Sequence, residues 1–91
     1  MTYIIRCEGW ADGRPCDVLG KYIESFQHHT SDGRGLGTFT PDPRRAMQFA
    51  TAPEAMAFWK MQSITRPLRS DGKPNRPMTA WHASILPMEN A

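Results

Sequence analysis

The side chains of this sequence richest in chemistry are two cysteines, three histidines, and a cluster of arginines and lysines set among prolines. Cys7, Cys16, His28 and His29 together offer four N and S donors, the number a tetrahedral zinc site needs. Their spacing matches neither a C-x₂₋₄-C nor an H-x₃₋₅-H knuckle, and adjacent histidines project in different directions. A core thiol with loop histidines is the expected arrangement, without metal or cofactor. Ser or Cys paired with His82 could supply a nucleophile and its base, but no Gly-x-Ser-x-Gly elbow or orienting acid accompanies them. Asp12 and Asp71 sit in turns, and Glu8 and Glu24 fall on solvent faces, so no pair of carboxylates suits acid–base work. Gly33-Arg34-Gly35-Leu36-Gly37 has the glycine content of a phosphate cradle. Such loops follow a strand and open a helix whose N–H groups take the anion. Here a strand follows instead, and turn and bulge glycines are expected. No catalytic residue is nominated.

The basic segment is different. Between Lys60 and Arg76 stand five cations (Lys60, Arg66, Arg69, Lys73, Arg76) against one acid, Asp71. The rest of the chain is close to neutral or slightly acidic, and such asymmetry marks an anionic partner. Prolines 67, 74 and 77 lower the entropy of holding the segment extended, and arginines present planar forks of donors. Arg66, Arg69, Lys73, Asn75 and Arg76 are therefore the expected partner contacts. Trp10, beside a turn, joins them as the aromatic expected to be partly exposed, while Phe58, Trp59 and Trp81 read as core.

The elements that must position these residues are legible from periodicity and turn chemistry. Tyr3 to Glu8 alternates as a strand, with Tyr3, Ile5 and Cys7 on one face. Ala11 to Pro15 is a turn, Lys21 to Phe26 a second strand, His28 to Arg34 a polar loop, and Gly35 to Thr40 a short third strand. Asp42-Pro43 has the form of a cap before a first helical residue, predicting a short helix that ends near Thr51. Thr51-Ala52-Pro53-Glu54 is a capping box opening a second helix to about Ser63, with Ala52, Ala55, Met56 and Trp59 inward. The basic segment, from Ile64 to Met78, reads as an extended, ordered loop. Thr79 to Leu86 alternates as a last strand with Trp81, Ala83 and Ile85 inward. The expected class is α+β: a small antiparallel sheet, order β-β-β-α-α-β, with two short helices packed on one face.

A length of 91 residues with 40% apolar content is the composition of one globular domain, 1–91, with a thin stability margin. A net charge of +2 says little about the whole chain. The apolar run at the N-terminus is too short for a signal peptide core, and no stretch approaches a membrane span. The expected compartment is therefore the cytoplasm, the two thiols are expected reduced, and no membrane partner is foreseen.

Thr40 to Phe49, with Glu54-Ala55 and Phe58-Trp59, resembles small uncharacterised proteins of proteobacteria and their prophages. Arg66-Pro67-Leu68-Arg69, Asp71 to Pro77 and Thr79-Ala80 are similar to the same group. The resemblance implies a mobile-element accessory gene, a class that includes inhibitors of host defence such as anti-CRISPR proteins. The function it implies is a non-catalytic phage protein that binds and occludes a bacterial protein or ribonucleoprotein complex, using the basic loop as contact. A small nucleic-acid-binding regulator using the same loop (64–78) is the alternative, and an enzyme assembled from scattered residues is a third.

Overall fold

The computed structural model describes residues 2–90. Strands β1 (Tyr3–Trp10), β2 (Tyr22–Gln27), β3 (Leu36–Thr40) and β4 (Trp81–Pro87) form one antiparallel sheet in the spatial order β3-β2-β1-β4. A single α-helix, α1 (Ala52–Trp59), precedes β4. Single 3₁₀ turns stand at Pro43–Arg45, Pro77–Ala80 and Met88–Asn90.

Strand alternation divides the core between the two sheet faces. Ile5 lies opposite Ile85 and Cys7 opposite Ala83, so these four share a face. That face meets α1: Ile5, Ile23, Phe26, Ala55 and Met78 form the main buried cluster, with Phe58, Trp59, Trp81 and Ile85 packed on it. Ile4, Tyr22 and Ala46 make a smaller cluster on the other face, with Leu86 against it.

The class is α+β, but the two-helix order is corrected. After Asp42, whose carboxylate caps Arg44 N–H at 3.0 Å, the chain makes one 3₁₀ turn and Ala46 leaves it extended. The reason lies in the sheet. β1 and β2 share only the Arg6–Tyr22 pair, after which β2 diverges and leaves backbone groups to satisfy. The segment 46–49 fills that gap. Met47 N–H donates to the Ile23 carbonyl at 2.9 Å, while Phe49 exchanges bonds of 2.9 and 2.8 Å with Tyr3. A helix of six or seven residues gains little against its nucleation cost, and these sheet bonds outcompete it. In place of the first expected helix, Ala46 covers the opposite face, while Phe49 packs on the main cluster beside Phe58.

α1 starts where its capping chemistry places it. Thr51 Oγ1 accepts the Glu54 N–H at 3.2 Å, and Pro53 sits in the first turn where no N–H is needed. The helix ends at Trp59 rather than near Ser63, because Ser63 is drawn into the basic loop through its N–H to the Asn75 carbonyl, 2.8 Å. Its inward line is Ala55, Phe58 and Trp59; Met56, expected inward, is 39% exposed. β4 starts two residues later than expected because the Pro77–Ala80 turn takes Thr79 and Ala80.

His28 ties the end of β2 to the end of α1: it is 3% exposed, and its Nε2–H donates to the Phe58 carbonyl at 3.0 Å. Burial holds its pKa below the ordinary 6.5. The unfolded chain therefore binds this proton more readily than the folded one. The stabilising contribution is complete above about pH 6.5 and is lost as pH falls through the lower folded value.

Two outcomes are expected. Thr51→Ala should lower unfolding free energy by about 0.5–2 kcal/mol in urea titrations, with α1 still present by circular dichroism. Stability of the wild type should fall between pH 7.5 and 5.5, no more steeply than about 1.4 kcal/mol per pH unit for a single proton. His28→Phe should flatten that slope. An unchanged slope in the variant would assign the effect to another group.

Candidate partner-binding groove

The basic segment is not simply extended; it doubles back. Arg69 N–H donates to the Lys73 carbonyl at 2.8 Å and Gly72 N–H to the Arg69 carbonyl at 3.0 Å. Leu68 and Pro74 make an antiparallel bridge, and Asn75 N–H reaches the Pro67 carbonyl at 2.9 Å. Gly72, at φ +83°, supplies the tight turn that a residue with a Cβ adopts poorly. Lys73 is carried to the exposed tip.

This hairpin is fastened to the loop between β2 and β3. Thr65 Oγ1 donates to the Thr30 carbonyl (2.6 Å), Arg66 Nε to the Ser31 carbonyl (3.2 Å), and Asn75 Nδ2 to the Gly33 carbonyl (2.7 Å). Ile64 N–H donates to His29 Nδ1 at 2.9 Å. Arg66 and Asn75 are thus partly committed to holding two loops together, a role their nomination as partner contacts did not foresee.

A groove of about 650 Å³ opens beside the joined loops. Trp10 and Trp81 line it on the sheet side; Arg34, Arg69, Asn75 and Arg76 line it on the loop side. Four of the six nominated residues (Trp10, Arg69, Asn75, Arg76) therefore come together, while Arg66 and Lys73 do not line the groove. Trp10 is positioned by pairing with Trp81 across β1 and β4, their rings stacked at 5.3 Å between centroids and 17° between planes. Trp81 meets Phe26 and Phe39 edge-on, at 5.9 and 5.7 Å, which mounts the indole pair on the core. Trp81 Nε1 is nevertheless a buried donor without an acceptor among the described residues, as is Trp59 Nε1. Each such group costs about 1–3 kcal/mol.

Among the described residues, no carboxylate lines the groove. Arg69 has Asp71 at 3.4 Å, with both side chains substantially exposed, an arrangement worth at most about 1 kcal/mol. Among the described residues, Arg34 and Arg76 enter no ion pair. Arg34 and Trp81 are the groove residues that sequence reasoning missed. Arg34 was hidden in a glycine run read as turn chemistry, and Trp81 alternates like any core residue.

The phosphate-cradle arrangement is closed by bookkeeping of the N–H groups. Gly33 N–H donates to the Thr30 carbonyl, Arg34 N–H to Asp32 Oδ1 and Gly35 N–H to Thr30 Oγ1, all at 3.0 Å. None is left for an anion; only the Arg34 guanidinium is offered. The four zinc-type donors do not converge either. His28 and His29 are engaged as described, Cys7 and Cys16 lie elsewhere, and no cluster of three or more His, Cys, Asp or Glu side chains exists among the described residues. His82 is exposed and makes no side-chain hydrogen bond among the described residues. Among the described residues, no helix is long and apolar enough to cross a membrane.

No protein-family model matches the chain, nor does any curated protein or solved structure compared with it. The functional argument therefore rests on the groove.

Gly35 sets the wall height of that groove. A Cβ there would stand 2.6 Å from the Phe26 ring and 2.9 Å from Pro77, on a backbone at φ +78°. Gly35→Ala should destabilise by about 1–3 kcal/mol more than Gly72→Ala. At Gly72 a Cβ meets nothing within 4 Å and only the backbone conformation opposes it. Equal urea midpoints for the two variants would show that this contact relaxes without cost.

Proposed function

We propose that this chain is a non-catalytic binding protein that occludes an anionic surface of a bacterial protein or ribonucleoprotein complex, in the manner of an anti-CRISPR inhibitor of host defence. One observation carries the reading. Trp10, Arg34, Arg69 and Arg76 come from three separate stretches of sequence and line one groove that holds no acid. Guanidinium groups cannot serve as general acids or bases near neutral pH, so the groove's titratable groups suit recognition rather than proton transfer. Uncompensated arginines beside an aromatic wall are the usual composition of a binding anchor. A phage origin and a host target are supported by the resemblance described above, which brings no residue roles.

A second reading, a regulator that binds nucleic acid, is favoured by the stacked Trp10–Trp81 pair beside the arginines. Single-stranded nucleic acids bind where bases meet aromatic rings and phosphates meet cations. The two readings differ in their salt response and in their sensitivity to nuclease.

The test replaces Arg34, Arg69 and Arg76 with Ala together, sparing Arg66, whose Nε supports the loops. Folding should be nearly unchanged, because exposed pairs contribute about 0–1 kcal/mol. Capture of the host partner should fall by more than about tenfold, since one desolvated arginine anchor is worth about 2 kcal/mol or more. Capture that survives nuclease and responds weakly to salt indicates a protein surface. A steep log–log loss with salt and abolition by nuclease indicate nucleic acid. Undiminished capture by the folded triple variant would remove the groove from the function.

A further inference from the structure

Cys7 and Cys16 are the two cysteines of the chain, and both are free thiols. Their sulfurs lie 3.4 Å apart, in direct contact. Neither position is accidental in the fold. Cys7 sits in β1 opposite Ala83 of β4. On the other side its N–H donates to the Lys21 carbonyl at 2.8 Å and its carbonyl accepts the Gly20 N–H at 2.9 Å. Cys16 opens the turn that returns to that same point, its carbonyl accepting the Leu19 N–H at 3.1 Å. The hydrogen bonds that close the β1–β2 connection therefore also bring the thiols together. Cys7 is only 3% exposed, whereas Cys16 is half-buried.

We propose that Cys7 and Cys16 are a thiol–disulfide exchange site, forming a reversible intramolecular bridge by reaction with a low-molecular-weight disulfide. Access orders the steps. The Cys16 thiolate attacks one sulfur of the small disulfide, whose S–S bond breaks and releases a first small thiol. Cys7 then gives its proton to solvent and attacks the Cys16 sulfur. The Cys7–Cys16 bond forms, and the second small thiol leaves with the electron pair of the broken mixed disulfide. Two protein thiols are oxidised and one small disulfide is reduced to two thiols, a balanced two-electron exchange.

The geometry asks for little movement. A disulfide bond is about 2.05 Å long, so the sulfurs must approach by about 1.4 Å. Of the residues between them, 11–15 are exposed and can absorb the shift. Burial pushes the Cys7 thiol up to about 11, so attack on a reagent in solvent falls to the more accessible Cys16. The ring closed by the bridge contains Trp10. Oxidation thus constrains the strand end that lines the groove, whatever partner the groove takes.

The test exposes the folded wild type to oxidised glutathione, followed by acid quench, unfolding, alkylation with iodoacetamide and mass measurement. The expected product is lighter than the reduced protein by two hydrogen atoms, carries no glutathione, takes up no alkylating agent, and returns to the dithiol with dithiothreitol. Cys7→Ser should stop at a stable glutathione adduct on Cys16, and Cys16→Ser should leave the buried Cys7 unmodified while folded. A protein already bridged when isolated meets the first expectation, and dithiothreitol then tests reversibility. The proposal is overturned if wild type ends as a Cys16 adduct with Cys7 still alkylatable, if both thiols remain free, or if only intermolecular dimers form. The wild-type masses decide the matter without the variants, should either fail to fold.

Discussion

The side-chain amide of Asn75 is the interaction on which the groove depends. Its Nδ2 donates to the Gly33 carbonyl at 2.7 Å and to the Arg66 carbonyl at 2.9 Å, joining the β2–β3 loop to the basic hairpin. Its backbone is engaged as well, with N–H on the Pro67 carbonyl and carbonyl accepting from Ser63 N–H. A carboxylate of the same shape would place negative charge against two carbonyl oxygens and lose both donors. Arg34 stands beside one end of this clamp in sequence, at Gly33, and Arg76 beside the other. Together with the Ile64, Thr65 and Arg66 bonds to the same loop, the clamp brings the arginines of both segments to one groove.

Placing three arginines around one groove works against folding, because like charges repel and little compensates them. Arg69 is eased by Asp71, while Arg34 and Arg76 enter no ion pair among the described residues. The structure tolerates this because the guanidinium groups remain wet and screened. The sheet side of the groove shows a similar compromise. Trp81 joins the main core through Phe26 and Phe39, yet its indole N–H finds no acceptor among the described residues while it supports Trp10. Local rules broken in one place, inside an otherwise consistent fold, are what binding sites require of their scaffolds.

Much of this was legible in the residues because it depends on short-range chemistry. Thr51 and Glu54 announce the start of α1 three residues apart, and Pro53 is compatible with only that placement. The alternation of Tyr3 to Glu8 and of Trp81 to Ile85 marks strands and the face they turn to α1, but not the burial of Ile4 on the other face. The basic hairpin was visible as a charge imbalance confined to one proline-bounded segment. What failed was the stretch after Asp42, where the same capping signs announced a helix and only a 3₁₀ turn formed. Local signals there were genuine, as the Asp42–Arg44 bond shows. They lost to the unsatisfied backbone of a sheet whose middle strands diverge.

The sequence alone determined the α+β class, the cap and start of the helix, the faces that β1 and β4 turn to it and the charge of the loop. Each of these follows from neighbours within a few residues. Only the tertiary structure decided that 46–49 would lie between β1 and β2 and that Ala46 would cover the second face. It alone set Trp10 on Trp81, brought Arg34 to Arg69 and Arg76, and put the two sulfurs in contact. These depend on strand register and on hydrogen bonds such as that from Asn75 to Gly33, 42 residues away in the chain. Pairings at that distance are selected by the closure of the whole sheet and its loops, and no local pattern of residue types encodes them.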